Sequence, residues 1–103
     1  PKEVPVSVSE YEHQGYFKGN AFEIWQEMYK RFKIEKSTKE SVDLDFMYAV
    51  MSKKGLIHET VGLNDMRDWV SRVYEMDLSK LRYTDINQKA NNKRMSIYKS
   101  ITE

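Results

Sequence analysis

Side chains able to do acid–base or metal chemistry are few and scattered in this 103-residue chain. His13 stands beside Glu10 and Glu12, and His58 stands beside Glu59. Imidazole titrates near neutrality and a carboxylate can orient it, so such a pair can move protons or begin a metal site. A hydrolytic metal centre built on His58 and Glu59 would need a third ligand to converge on them. Loop histidines beside glutamates are ordinarily solvated, and both are read that way here. Asp43 and Asp45 are two apart on an expected helix and therefore point to different sides, so they form no carboxylate dyad. Asp65 and Asp68 do share a face, but they fall in the first turns of a helix, where negative charge offsets the macrodipole. Four scattered glycines build no phosphate-cradling loop. The serines lack a glycine elbow. Cysteine is absent, which removes thiol nucleophiles, cysteine zinc sites and disulfide frameworks. These residues predict a protein that is not an enzyme and that carries no cofactor and no metal.

Charge is distributed more informatively. Residues 1–79 hold 11 Lys/Arg against 14 Asp/Glu, whereas residues 80–103 hold six basic residues against two acids. The six are Lys80, Arg82, Lys89, Lys93, Arg94 and Lys99, and Asn87, Gln88, Asn91 and Asn92 interleave with them. Lys and Arg engage phosphates, while Asn, Gln and Arg can read base edges. Lys80, Arg82, Lys89, Lys93 and Arg94 are the expected phosphate contacts, and Asn87 and Asn91 the expected hydrogen-bonding partners of base or backbone. The plainer alternative is a solvated terminal helix whose cations suit its C-terminal dipole.

Helices must position these residues. Asn20 and Glu23 have capping-box spacing ahead of a stripe at Phe22, Trp25, Met28/Tyr29 and Phe32. A second helix starts at Ser37 or Ser41 and runs to about Lys54, with Leu44, Met47, Val50 and Met51 on its apolar face. Lys53 and Lys54 suit its last turn, and Gly55 suits its left-handed closure. Leu63, Met66, Trp69, Val70, Val73 and Tyr74 give a third helix the clearest period in the chain. Thr84 is the expected cap of a last helix over about 85–101, carrying Ile86, Ala90, Ile97, Tyr98 and Ile101. Trp25, Trp69 and the methionines fall on helical stripes, so core packing is their expected role. Residues 1–19 read as an extended arm: Pro1 and Pro5 fix φ, and Val4, Val6 and Val8 alternate as in a strand. Tyr11, Tyr16 and Phe17 are placed to pin the arm to the body, or to stand exposed as a protein-binding surface.

From Phe46 onward the order of residues resembles a known family. Phe46-Met47-Tyr48-Ala49-Val50-Met51 leads to Gly55-Leu56-Ile57. Leu63, Met66, Trp69, Val70, Val73 and Tyr74-Glu75-Met76-Asp77-Leu78 then lead to Tyr83, Ile86-Asn87 and Lys93-Arg94. The pattern is similar to the C-terminal part of the RteC-type regulators of conjugative transposons and covers about 58 of the 103 residues. It implies a winged-helix or helix-turn-helix relative that binds DNA and regulates excision of a mobile element. The sequence departs from that pattern where Asn91 and Asn92 replace basic positions, and residues 17–32 have no counterpart in it.

Length and composition agree with one helical domain. Aromatic residues make up 13% of the chain, too many for a disordered segment. The expected fold is mainly α, a small four-helix bundle or helix-turn-helix-like domain over residues 20–103 with the arm ahead of it. No apolar run approaches the roughly 18 residues of a membrane span, and no apolar stretch follows Lys2 and Glu3 as in a signal peptide. The lack of cysteine fits a cytoplasmic, reducing setting. Pro1 in place of Met points to a processed chain or a piece of a longer one. The expected partners are DNA through the basic segment or, as the alternative, a protein through the arm, with no membrane contact.

Overall fold

The computed structural model describes residues 15–103. Four α-helices carry the fold: α1 (Ala21–Arg31), α2 (Val42–Lys53), α3 (Leu63–Val73) and α4 (Asn92–Thr102), with a short 3-10 turn over Lys89–Asn91 before the last. Among the described residues β pairing is confined to one antiparallel bridge, Phe17 with Ile57. The chain is thus mainly helical, as its periodicity predicts. The alternation at Val4, Val6 and Val8, together with Tyr11 and His13, lies outside the described residues.

Each helix starts for a different local reason. Asn20 precedes α1, but its side chain makes no capping bond; the Glu23 N–H is taken by the Asn20 carbonyl instead, so the capping box is not formed. Ser41, not Ser37, opens α2, with its Oγ accepting from the Leu44 N–H at 3.2 Å. At α3 the Asp65 carboxylate reaches back to the Gly62 N–H at 3.1 Å. That bond satisfies an orphan donor and places negative charge at the positive end of the helix dipole.

The ends share one device. At α2 the Gly55 N–H bonds the Ser52 carbonyl and the Leu56 N–H bonds the Met51 carbonyl, with Gly55 at φ +75°. That is a Schellman closure, and it turns Leu56 and Ile57 back toward the core. The same six-to-one bond closes α1 (Ile34 N–H to Tyr29 carbonyl) and α3 (Met76 N–H to Ser71 carbonyl). There the left-handed residues are Lys33 and Glu75, at φ +56° and +55°. Left-handed backbone costs a residue with a Cβ about 1–2 kcal/mol.

Packing converges on α2. Its Leu44, Phe46, Met47, Ala49, Val50 and Met51 are all buried. A helix apolar on most sides belongs inside a fold, and α2 is the central one. α1 contributes Ala21, Trp25 and Met28, and α3 contributes Met66, Trp69 and Val70, each from one face. An aromatic cluster joins them: Phe17 and Trp69 meet edge to face with centroids 5.1 Å apart, and Trp25 and Trp69 do so at 5.9 Å. Such pairs add about 0.5–1.5 kcal/mol each beyond area burial. Phe17 is 2% exposed, which corrects its placement among exposed docking aromatics. Burial follows from its backbone, because the Lys18 N–H bonds the Leu56 carbonyl and the His58 N–H bonds the Tyr16 carbonyl. This short ladder carries residues 16–18 into the core.

Candidate nucleic-acid interface

The basic segment is not one helix. The structure corrects the expected start at Thr84: residues 76–88 are irregular, and α4 begins at Asn92. Turn chemistry wins over helix here. Asp85 Oδ1 accepts from the Asn87 N–H at 2.9 Å, and the Asp85 carbonyl accepts from the Gln88 N–H. An aspartate that bonds the backbone two residues on stabilises a turn at the expense of a helix. Lys89 therefore lies in the 3-10 turn and Lys93 in the first turn of α4.

The seven expected site residues divide into groups. Asn91 is 3% exposed. Its Nδ2 donates to Thr84 Oγ1 at 3.2 Å and to the Asp85 carbonyl at 2.8 Å, and its Oδ1 accepts from Arg94 at 3.0 Å. It is a buried fastener between turn and helix, which corrects its assignment as a nucleic-acid contact. Arg94 is also turned inward. Its Nε bonds Asp43 Oδ1 at 2.7 Å, and one terminal nitrogen bonds the Ala90 carbonyl and Asn91. Arg82 is held at both ends: its N–H donates to Asp45 Oδ1 at 2.9 Å, and its guanidinium pairs with Glu40 at 2.9 Å. Asp43 and Asp45 do point different ways, one to α4 and the other to the 76–88 segment. Asp45 is buried, and burial raises its pKa; nearby Glu40 adds to this, while the Arg82 N–H and the Arg82 and Arg94 charges oppose it.

The lysines behave differently. Lys80, Lys89, Lys93 and Lys99 are exposed, and among the described residues none of them makes an ion pair. Asn87 and Lys99 meet Lys53, Lys54 and Asn92 around a cleft of about 480 Å³, with Ile86 and Met95 completing it. Among the described residues no carboxylate lines that cleft. Lys53 and Lys54 look from the sequence like ordinary dipole-compensating cations, and Lys99 like a tail residue; only the packing of α4 beside the C-terminal end of α2 brings them together. A dibasic pair next to a helix-ending glycine was the available signal. Lys80 and Arg82 border a different cleft, of about 670 Å³, at the start of α3, which Arg67 and Asp65 also line.

His58 is half-buried and tied to Tyr16 through its backbone. Among the described residues no group of three or more His, Asp or Glu side chains is arranged to hold a metal ion. None of the described helices is long and apolar enough to cross a membrane. No protein-family model matches the chain, and neither does any curated protein or solved structure.

Proposed function

We propose that this is a non-enzymatic regulatory domain that binds nucleic acid, and that its phosphate contacts come from the lysine cleft between the end of α2 and α4. The observation that carries this is the meeting of Lys53, Lys54 and Lys99 with Asn87 and Asn92 in a cleft that no carboxylate of the described residues lines. A lysine is a compact point charge suited to phosphate oxygens, and asparagine amides supply hydrogen bonds beside it. Lys89 and Lys93, both exposed in the turn and first helical residues next to Asn92, extend the same positive field. A regulatory role on a mobile element is supported by the resemblance to RteC-type regulators alone. A cytoplasmic setting is supported by the absence of cysteine.

The reading of the N-terminal arm as a protein-docking surface loses Phe17, which is spent on the core. The pairing of Arg82 with Glu40 at the surface and of Arg94 with Asp43 weakens the nucleic-acid reading at those two positions and leaves it intact at the lysines.

The test is fluorescence anisotropy of labelled duplex and single-stranded oligonucleotides across a salt series, with the parent and a Lys53→Ala/Lys54→Ala/Lys99→Ala variant. Binding that weakens with salt in the parent, with a shallower slope in the variant, supports the reading. Absence of binding to either form at low salt overturns it.

A further inference from the structure

The lysine cleft does not end at Lys53. That residue and Ile86 also line a neighbouring groove of about 470 Å³, floored largely by apolar groups of Tyr48, Ala49 and Leu63 and bordered by Tyr83. Tyr83 and Leu63 in turn line the cleft of Arg67, Lys80 and Arg82. Three concavities therefore run in series: the lysine cleft, an aromatic and apolar groove, and a cleft of mixed charge that Asp65 also lines, where Arg67 pairs with Asp68, Arg82 pairs with Glu40, and Lys80 is the cation without an ion pair among the described residues. Tyr83 sits at the second junction, between the groove and the Lys80 cleft, and is 71% exposed, the largest exposure of any bulky apolar or aromatic side chain that stands out on the described surface. Leaving that ring in water is unfavourable, and nothing in its own core needs it there.

We infer that this channel takes single-stranded nucleic acid, with an unpaired base stacked on Tyr83 over the apolar groove and the flanking phosphates held by Lys53 on one side and Lys80 on the other. The inference rests on the proposed nucleic-acid reading and names its substrate class. Duplex DNA buries its base faces and presents phosphates on a convex surface, so it has no use for an apolar groove between two lysine-bearing clefts. A single strand offers both: every base has a π face, and stacking on an aromatic side chain is sequence-tolerant. Charge complementarity is built into the order of the clefts, since Lys53 belongs to both the groove and the lysine cleft. The Tyr48 hydroxyl is committed to the Val61 carbonyl at 2.8 Å, which fixes its ring as a wall of the groove. The Thr84 hydroxyl accepts from Asn91 and can still donate to a base edge at the same groove.

The experiment compares mixed-sequence single-stranded DNA and RNA of about ten nucleotides with the matching duplex, for the parent, Tyr83→Ala, Tyr83→Phe and the triple-lysine variant. A 2-aminopurine label in the single strand reports stacking directly. The parent is expected to bind the single strand more tightly than the duplex and to quench the label. Tyr83→Ala is expected to weaken single-strand binding roughly five- to hundredfold and to lose the quenching, while Tyr83→Phe retains both. Because the ring is exposed, thermal unfolding of both Tyr83 variants should match the parent. If single-strand affinity and quenching are unchanged in Tyr83→Ala, or the duplex binds as tightly, the inference is overturned while lysine-dependent binding can still stand. If no oligonucleotide binds, the underlying reading fails with it.

Discussion

The two sides of α4 use polar residues in opposite ways. On the inner side Asn91, Arg94 and Tyr98 close onto the body: Asn91 bonds Thr84, the Asp85 carbonyl and Arg94, and Arg94 bonds Asp43, the Ala90 carbonyl and Asn91. On the outer side Asn92, Lys93 and Lys99 stay in water. The difference follows from side-chain chemistry. A guanidinium offers a planar fork that satisfies several acceptors at once and tolerates partial burial, while an ammonium is strongly hydrated and favours the surface. Both arginines of the basic segment pair with carboxylates, Arg94 in a partly buried seam and Arg82 at the surface, whereas its lysines make no ion pair among the described residues. Counting basic residues in the sequence cannot make that distinction.

The largest test of this contrast is Tyr98→Ala. Tyr98 is 6% exposed, and truncation should cost about 3 kcal/mol in urea unfolding through the cavity it leaves. A loss below about 0.5 kcal/mol would mean that α4 is not packed as described.

Arg94→Ala comes next. It removes the bond to Asp43 and those to Ala90 and Asn91. The expected cost is about 2 kcal/mol, because a partly buried carboxylate and an amide lose their donor. Arg94→Lys should restore only a fraction, since one ammonium cannot span the same acceptors. Full rescue by lysine would show that charge alone, and not the fork, holds the seam.

Asp45→Asn probes the seam by pH. Burial raises the Asp45 pKa in the folded state, so its favourable contribution is complete below the ordinary aspartate value of about 3.9 and is lost as pH rises through the folded value. At neutral pH the ionised carboxylate therefore costs stability. Asparagine keeps an oxygen to accept the Arg82 N–H without the charge. Relative to the parent, the variant should be most favourable at neutral pH and lose that advantage as pH falls below the aspartate range, read as the difference in Tm. A variant that is worst at neutral pH would show that the Arg82 and Arg94 charges outweigh burial.

The smallest stability effect belongs to the outer side. Lys93→Ala and Lys99→Ala should each change unfolding free energy by less than about 0.5 kcal/mol, as is usual for exposed side chains away from caps and cores. A cost comparable to that of Arg94→Ala would erase the contrast between the two sides.

Much of the fold was legible because the strong periods belong to elements that bury one face. The stripe at Met66, Trp69 and Val70 located α3, and Gly55 located the end of α2. Lys33 and Glu75 close α1 and α3 in the same left-handed way but carry no glycine signal, so those ends read less sharply. The last helix was misplaced by seven residues because its apolar stripe included Ile86, which is buried from an irregular segment rather than from a helix. Asp85 and Asn91 form a local network that competes with helix, and sequence spacing alone does not weigh such bonds. Of the expected site, Asn87 was placed where it meets the lysine cleft, while Asn91 and Arg94 were polar residues of the kind found at nucleic acid that the fold uses for itself. Lys53 and Lys54 were missed because their partner Lys99 is distant in sequence and only tertiary packing brings the three together.

The most direct test of the central claim is the salt dependence of single-strand binding by the parent and the Lys53→Ala/Lys54→Ala/Lys99→Ala variant, measured side by side with an Asn91→Ala control. With three phosphates neutralised by the cleft, the slope of log affinity against log salt should be roughly 2 units shallower in the triple variant. Asn91→Ala should leave the slope as in the parent and lower only stability. Equal slopes for the parent and the triple variant would contradict the account, because the cleft would then release no counterions and the lysines would be nothing more than solvated surface.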